Sequence, residues 1–266
     1  MEYSNFFDPE AVQALRNARR IVFFSGAGIS AESGVPTFRD DLTGLWAQYD
    51  PMELATLEAF KRQPEIVWGW YEWRRQRVSE ALPNAAHETI AHWQANSKQV
   101  FCVTQNVDNL HERAGCTHVL HLHGELFSSI CVQCGQPWEN KQENDGAINP
   151  SLVVDEGSAI TPPSCESCGQ YIRPAVIWFG ESLDPDVLNQ AFELSSHCDV
   201  LVAIGTSGVV QPAAALPVIA KEAGAYVIQI NPQQTPLDDV AHTNIRAPAA
   251  QCLPKLYEEV IEGKYE

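Results

Sequence analysis

Continuously apolar runs alternate with amphipathic stretches along most of the chain. Such runs occur at residues 21–24, Val100–Thr104, 118–122, 175–178, Val200–Ile204 and Tyr226–Ile230. Residues 9–20, 84–95, 108–114, Pro185–Ser196 and 212–223 read instead as amphipathic helices. Asp8 has the character of an N-cap, with Pro9 at the first helical position. Gly115 and Gly224 stand where helix C-caps fall. Strands that lack polar alternation are buried on both faces, and helices between successive strands supply that cover. The pattern predicts a doubly wound, Rossmann-like α/β fold around a parallel sheet.

Two segments break the alternation. Residues 51–82 are helical, with no strand until Val100, which predicts an added helical module. Residues 127–173 hold four cysteines, an irregular polar stretch and few periodic apolar positions. A segment of that kind buries too little surface to fold alone and needs a staple. The expected division is a Rossmann-like domain from 1–50, 84–126 and 174–266, a helical module at 51–83 and a metal-binding module at 127–173.

The staple is legible in the cysteines. Cys131-Val132-Gln133-Cys134 and Cys165-Glu166-Ser167-Cys168 are two C-x-x-C knuckles, each followed by a glycine that suits a tight turn. Four thiolates brought together make a tetrahedral zinc site with no open position for water, hence a structural one. Cys102, Cys116, Cys198 and Cys252 are scattered and read as small buried hydrophobes. Eight cysteines in 266 residues are too few for a disulfide scaffold, so a reducing, cytoplasmic setting is expected. The first residues carry no secretory pattern and no apolar run approaches a membrane span, so no membrane partner is expected. Seventeen basic against thirty-four acidic residues leave a net charge of −17, which repels phosphate backbones and argues against nucleic-acid binding.

Candidate chemistry clusters at predicted strand ends. The run at 21–24 leads into Gly26-Ala27-Gly28-Ile29-Ser30-Ala31, a G-x-G-x-x-G/A turn that lets backbone approach a pyrophosphate. A hydride-transfer enzyme also needs an acidic residue ending the second strand about 20 residues on. A polar loop, Glu32 through Asp40, stands there instead, so hydride transfer is disfavoured. Ligands of open parallel sheets sit beyond the carboxyl ends of the strands. Gln105, Asn106, Asp108 and His123 are therefore expected to converge on the rim that carries Gly26 and Gly28. An imidazole beside a ribose can serve as a general base at neutral pH. His121 lies two residues from His123, and only one of the pair is expected to be chemical.

These residues resemble the sirtuin family of NAD-dependent protein lysine deacylases. The resemblance rests on the stretch from Gly26 to Arg39, on Thr104-Gln105-Asn106-Val107-Asp108-Asn109-Leu110-His111 and on His121-Leu122-His123-Gly124-Glu125. It continues through the cysteine quartet, Trp178-Phe179-Gly180-Glu181, Gly205-Thr206-Ser207 and Asn231. It implies NAD as co-substrate, with the diphosphate on Gly26, Ala27 and Gly28 near Ser30, and Phe38 and Arg39 over the nicotinamide side. Gln105, Asn106, Val107 and Asp108 would order the nicotinamide ribose. Gly205, Thr206, Ser207, Asn231, Pro232, Gln233 and Ala249 would line the adenosine half. The implied chemistry has the acyl-lysine oxygen attack the anomeric carbon as nicotinamide leaves. His123 then acts as base for a ribose hydroxyl, giving nicotinamide, free lysine and O-acyl-ADP-ribose. Ile177, Trp178, Phe179 and Gly180 match the segment that pairs with an acylated peptide as an extra strand. Asp40-Asp41 departs from the small residues expected there, and 147–161 has no counterpart.

Tyr71 and Arg74 stand three residues apart in the helical module and project from one helix face. By themselves they read as packing plus a solvated charge. The resemblance gives them a role, because Tyr-x-x-Arg matches the class III pattern for succinyl-, malonyl- or glutaryl-lysine, with acetyl-lysine also accepted. A plain deacetylase is the leading alternative. ADP-ribose transfer to protein and a non-catalytic NAD-binding module are further ones. A monomer is the expected state.

Overall fold

The computed structural model describes residues 7–35, 54–96, 99–139, 154–155 and 157–262. Phe38, Arg39, Asp40 and Asp41, and most of 147–161, lie outside the described residues.

Six parallel strands form the main sheet: β1 (Ile21–Ser25), β2 (Val100–Thr104), β3 (Val119–His121), β7 (Val200–Ile204), β8 (Tyr226–Ile230) and β9 (Thr243–Ile245). Their order is β3-β2-β1-β7-β8-β9, so the winding direction reverses between β1 and β7. Successive side chains of β1 divide between two cores. Ile21 and Phe23 face one formed with α1 (Pro9–Asn17), α5 (Ala85–Asn96) and α9 (Ala249–Glu262). Val22 and Phe24 face the other, formed with α7 (Pro185–Ser196) and α8 (Leu216–Glu222). Burial on both sides is why these strands read as unbroken apolar runs.

Local chemistry sets the boundaries. Asp8 Oδ1 accepts the Glu10 amide at 2.9 Å and starts α1. The helix stops at Asn17, short of the predicted Arg20, because Asp199 Oδ2 takes the amides of Arg19 and Arg20 at 2.7 and 2.8 Å. Those bonds replace helical ones and set the chain at the head of β1. Gly115 and Gly224, at φ +101° and +94°, end their helices as expected.

The apolar run predicted at 175–178 is not a strand of the parallel sheet. Ile172–Val176 forms β6, which pairs antiparallel with β4 (Gly124–Cys131), and β4 pairs with β5 (Pro137–Trp138). A short apolar run has the same appearance in either sheet, since periodicity does not name a partner. This small sheet carries the cysteine knuckles, so the stretch predicted as irregular has a folded frame.

The helical segment contains α3 (Leu57–Arg62), capped by Thr56, and α4 (Pro64–Glu80). On α4, Trp70 and Tyr71 pack with Leu126, Val176 and Trp178, whereas Trp68 packs with Cys131, Cys165 and Ile172. Arg75, almost wholly buried, donates to Leu126 O at 2.7 Å and Ser129 Oγ at 2.9 Å and pairs with Glu72. At Gly69 a Cβ would stand 1.9 Å from Ser158 O, so only glycine admits that strand of backbone. One helix is thus clamped between the main sheet's rim and the cysteine sheet.

Gly205 follows β7 at φ +58°, and a Cβ there would lie 2.6 Å from Ile29 N. Gly224 has a similar backbone but open space around it. Denaturant unfolding is expected to show a loss of about 3 kcal/mol for Gly205→Ala, from left-handed strain plus overlap. For Gly224→Ala, with strain alone, the loss is about 1 kcal/mol.

Candidate active site and metal centre

The turns after β1 and β7 interlock at the point where strand order reverses. Gly28 N donates to Gly205 O at 2.9 Å, and Gly26 N to Ile204 O at 2.9 Å. Cβ atoms at Gly26 or Gly28 would lie 2.8 Å from Thr206 Cα or 2.7 Å from Gly205 Cα. The glycines therefore answer first to each other. The short α2 (Ala27–Ala31) starts from this joint, and its residues Ala27 and Ser30 come to the rim with Gly26 and Gly28.

Residues after β2 complete one polar network. Ser30 Oγ donates to Asp108 Oδ2 at 2.9 Å and accepts from Asn106 Nδ2 at 3.0 Å. Asp108 Oδ1 also takes the Leu110 amide, which opens α6 (Leu110–Arg113). Burial raises the Asp108 carboxyl above its ordinary pKa, while the bonds from Leu110 and Ser30 pull it down. Gln105 Nε2 donates to Thr206 Oγ1 at 2.8 Å, and Asn231 Nδ2 to Thr206 O at 2.9 Å. Asn231 Oδ1 in turn takes the Gln233 amide, with Pro232 exposed between them. Ser207 is half-buried, and buried Ala249 begins α9 beside Glu32, whose carboxylate takes the Ala250 amide. Val107 O holds the Leu126 amide of β4, which joins the rim to the small sheet.

The two neighbouring histidines part company here. His123 Nδ1 lies 2.9 Å from Gln105 O. A carbonyl oxygen only accepts, so Nδ1 carries the proton and Nε2 keeps its lone pair. Burial lowers the His123 pKa, with the Gln105 bond opposing. His121 has both nitrogens engaged, by Asn106 O at 2.9 Å and Glu112 at 2.8 Å. Burial works against its charge, but Glu112 and Asn106 prevail and raise its pKa. Of the pair, His123 alone offers a free ring nitrogen among the described residues.

Behind the rim, Ser25 Oγ joins Thr104 Oγ1 at 2.8 Å to His111 Nε2 at 2.9 Å, and Thr104 Oγ1 accepts the Asn106 amide. Nothing in the spacing of Ser25 and His111 announces this chain of bonds. His87 stacks edge-on against His111, and burial lowers its pKa to about 4. Between that value and the ordinary 6.5 the unfolded chain binds a proton that the fold refuses, so acidification through this window weakens the fold.

The segment after β6 is held from both sides. Ile177 N donates to His123 O at 2.8 Å and Phe179 N to Ala55 O at 3.0 Å. Trp178 is buried, Phe179 is 41% exposed, and Gly180 turns the chain at φ +87°. Arg173 pairs with Glu181 and lies 3.4 Å from the Trp178 ring centroid. The sequence singles out neither the buried Arg173 nor its tie to Glu181. Tyr71 is brought against this segment, since Trp178 Nε1 donates to its hydroxyl at 2.8 Å. Arg74 lies over the rings of Trp70 and Tyr71, 4.9 and 5.7 Å from their centroids, with no ion pair to any described residue.

The cysteines converge. Cys131 and Cys168 sulfurs are 3.4 Å apart, and Cys134 lies 3.8 Å from both Cys165 and Cys168. Zinc–sulfur bonds of about 2.3 Å in a tetrahedron set sulfurs about 3.8 Å apart, so the quartet fits one zinc ion and no second ligand type is needed. Gly135 and Gly169, at φ +69° and +75°, close the two knuckles.

Residues 26–212 match the Sir2 family. The NAD-dependent protein deacylase 1 of Pseudomonas aeruginosa is 48% identical over 252 residues, covering 95% of this chain and 98% of that one. The crystal structure of a Sir2 homologue–NAD complex superposes with a TM-score of 0.86 at 39% identity, covering 99% of this chain and 97% of that one. A Sir2–p53 peptide–NAD+ complex aligns at 0.77 and 29% identity, covering 97% and 99%.

Elemental analysis of the purified chain is expected to find one zinc per molecule. In Cys134→Ser the zinc falls well below one and the melting temperature drops, because the small sheet loses its staple.

Proposed function

The chain belongs to the Sir2 family and is an NAD-dependent protein deacylase; we propose that it prefers acidic acyl groups on lysine and that His123 is its general base. When bound, NAD supplies the anomeric carbon that accepts the acyl oxygen, with nicotinamide as leaving group. Asn106, Asp108 and Ser30 form a pre-oriented set of donors and acceptors for ribose hydroxyls. All three are buried, so they need no reorganisation as charge develops. With Nδ1 held by Gln105, His123 is assigned Nε2 as the atom that takes a proton from a ribose hydroxyl. Its tautomer is held by the Gln105 carbonyl, which also steadies the imidazolium once formed.

The remaining assignments follow from position. Gly26, Ala27 and Gly28 present backbone to the diphosphate, and Gly205, Thr206, Ser207, Asn231, Pro232, Gln233 and Ala249 face the adenosine. Residues 177–180 offer the acylated peptide an edge beside His123. The four cysteines hold zinc as a structural ion, remote from the proton transfer. A reducing, cytoplasmic location rests on the sequence reading of eight cysteines in 266 residues. No described helix is long and apolar enough to cross a membrane.

One observation carries the acyl preference: Arg74 is a largely enclosed guanidinium with no carboxylate partner among the described residues. Burial lowers its pKa, with Tyr71 and Asp108 opposing. A buried cation of this kind favours an incoming carboxylate. The net charge of −17 works against an anionic substrate, but fields fade beyond about 8 Å in physiological salt and Arg74 acts at contact.

His123→Tyr is expected to abolish deacylation while retaining zinc, as read by mass spectrometry of lysine peptides and O-acyl-ADP-ribose together. In the wild type the base must be neutral. The acid-side fall in kcat/KM is therefore expected below the ordinary histidine value of 6.5, in the direction burial moves His123. Near-normal turnover by His123→Tyr removes the assignment. A charged hydrogen bond is worth about 10- to 150-fold in preference, and Arg74→Met is expected to lower the succinyl-to-acetyl ratio by that order.

A further inference from the structure

Trp178 Nε1 donates to the Tyr71 hydroxyl at 2.8 Å, with both rings enclosed. An indole N–H can only donate, so the phenol oxygen is the acceptor of this bond. The phenol's own proton must then point elsewhere, and no described residue accepts it. Burial raises the Tyr71 pKa above its ordinary value, against the opposing charge of Arg74, so that proton is retained. Arg74 stands over the same ring.

Trp178 is in turn fixed from several directions. Its backbone amide donates to Glu181 at 2.7 Å, Glu181 pairs with Arg173, and the Arg173 guanidinium covers the indole face. Phe60 packs on the ring with centroids 5.3 Å apart. The indole cannot rotate without breaking this set.

We propose that Trp178 is a positioning residue for acyl specificity: by donating to Tyr71 Oη it aims the phenol proton, beside Arg74, at the carboxylate of an acidic acyl group. The inference rests on the acidic-acyl preference proposed above. It makes the peptide-bearing segment and the acyl pocket one unit, because the same residue carries the backbone of one and orients the donor of the other.

The test is steady-state kinetics with succinyl- and acetyl-lysine forms of one peptide at saturating NAD. The proteins are the wild type, Trp178→Phe, Tyr71→Phe, the double variant and Arg74→Met. Trp178→Phe keeps a ring but removes the donor, and the succinyl-to-acetyl ratio of kcat/KM is expected to fall about tenfold, chiefly through KM of the succinyl peptide. The double variant is expected to fall no further than Tyr71→Phe, since the indole acts through the phenol. An unchanged ratio in Trp178→Phe, or additive losses in the double variant, overturns this inference while Arg74→Met still reports on the pocket. A wild type without acidic preference, unaltered by Arg74→Met, overturns both. A second measurement needs no tryptophan variant: the indole N–H resonance displaced by Tyr71→Phe should shift when succinyl peptide is added to the wild type and hold still with acetyl peptide. A resonance that responds to neither peptide counts against the proposal.

Discussion

Backbone meets backbone where β1 and β7 end. Gly26, Gly28 and Gly205 close on one another within distances no side chain allows, and this contact fixes everything built on the rim. From it α2 departs with Ser30, which ties Asn106 to Asp108. Thr206, on the other side of the joint, collects Gln105 and Asn231. The glycine turn proposed above as the diphosphate cradle is also the weld between two halves of the sheet. The weld explains all three glycines, including one that lies far from the G-x-G motif in sequence.

Much of the main fold was legible because its strands are buried on both faces, and that condition writes continuous apolar runs into the chain. Strands β2, β7 and β8 fall where those runs lie. The small sheet was not legible. β4 buries Leu126, Ser129 and Cys131 at uneven spacing and shifts register against β6 between Glu125 and Ser129, so no clean period of two survives. Its stability comes from four sulfurs and from α4, and neither contribution leaves a periodic trace. The edge strand β9 is three residues long and equally silent.

The site divides in the same way. Residues grouped by sequence, such as Gln105 to Asp108, come together as expected because one strand end carries them. The choice of His123 over His121 came from the resemblance, and its physical reason needed coordinates, since Glu112 occupies one imidazole and leaves the other open. Arg173 and Glu181 were invisible as a pair, because the turn through Gly180 alone brings them face to face. Charge arithmetic was informative only by exclusion: −17 argues against polyanion binding but gives no hint of Arg74, an enclosed guanidinium on α4 with no ion pair to any described residue.

Helix α4 has no idle side. Gly69 admits the backbone of Ser158, Trp68 leans on two cysteines and Arg75 grips β4, while Tyr71 takes the Trp178 indole N–H and Arg74 lies over the Trp70 and Tyr71 rings. Its surface is therefore over-determined: a rotation or a shift of even part of a turn that repacked one contact would tear another. Divergence toward new substrates must then work by exchanging side chains on a stationary rod, not by moving it. A helix transplanted from a differently selective relative would have to bring its own glycine and its own arginine anchor, or carry the neighbouring knuckles along with it.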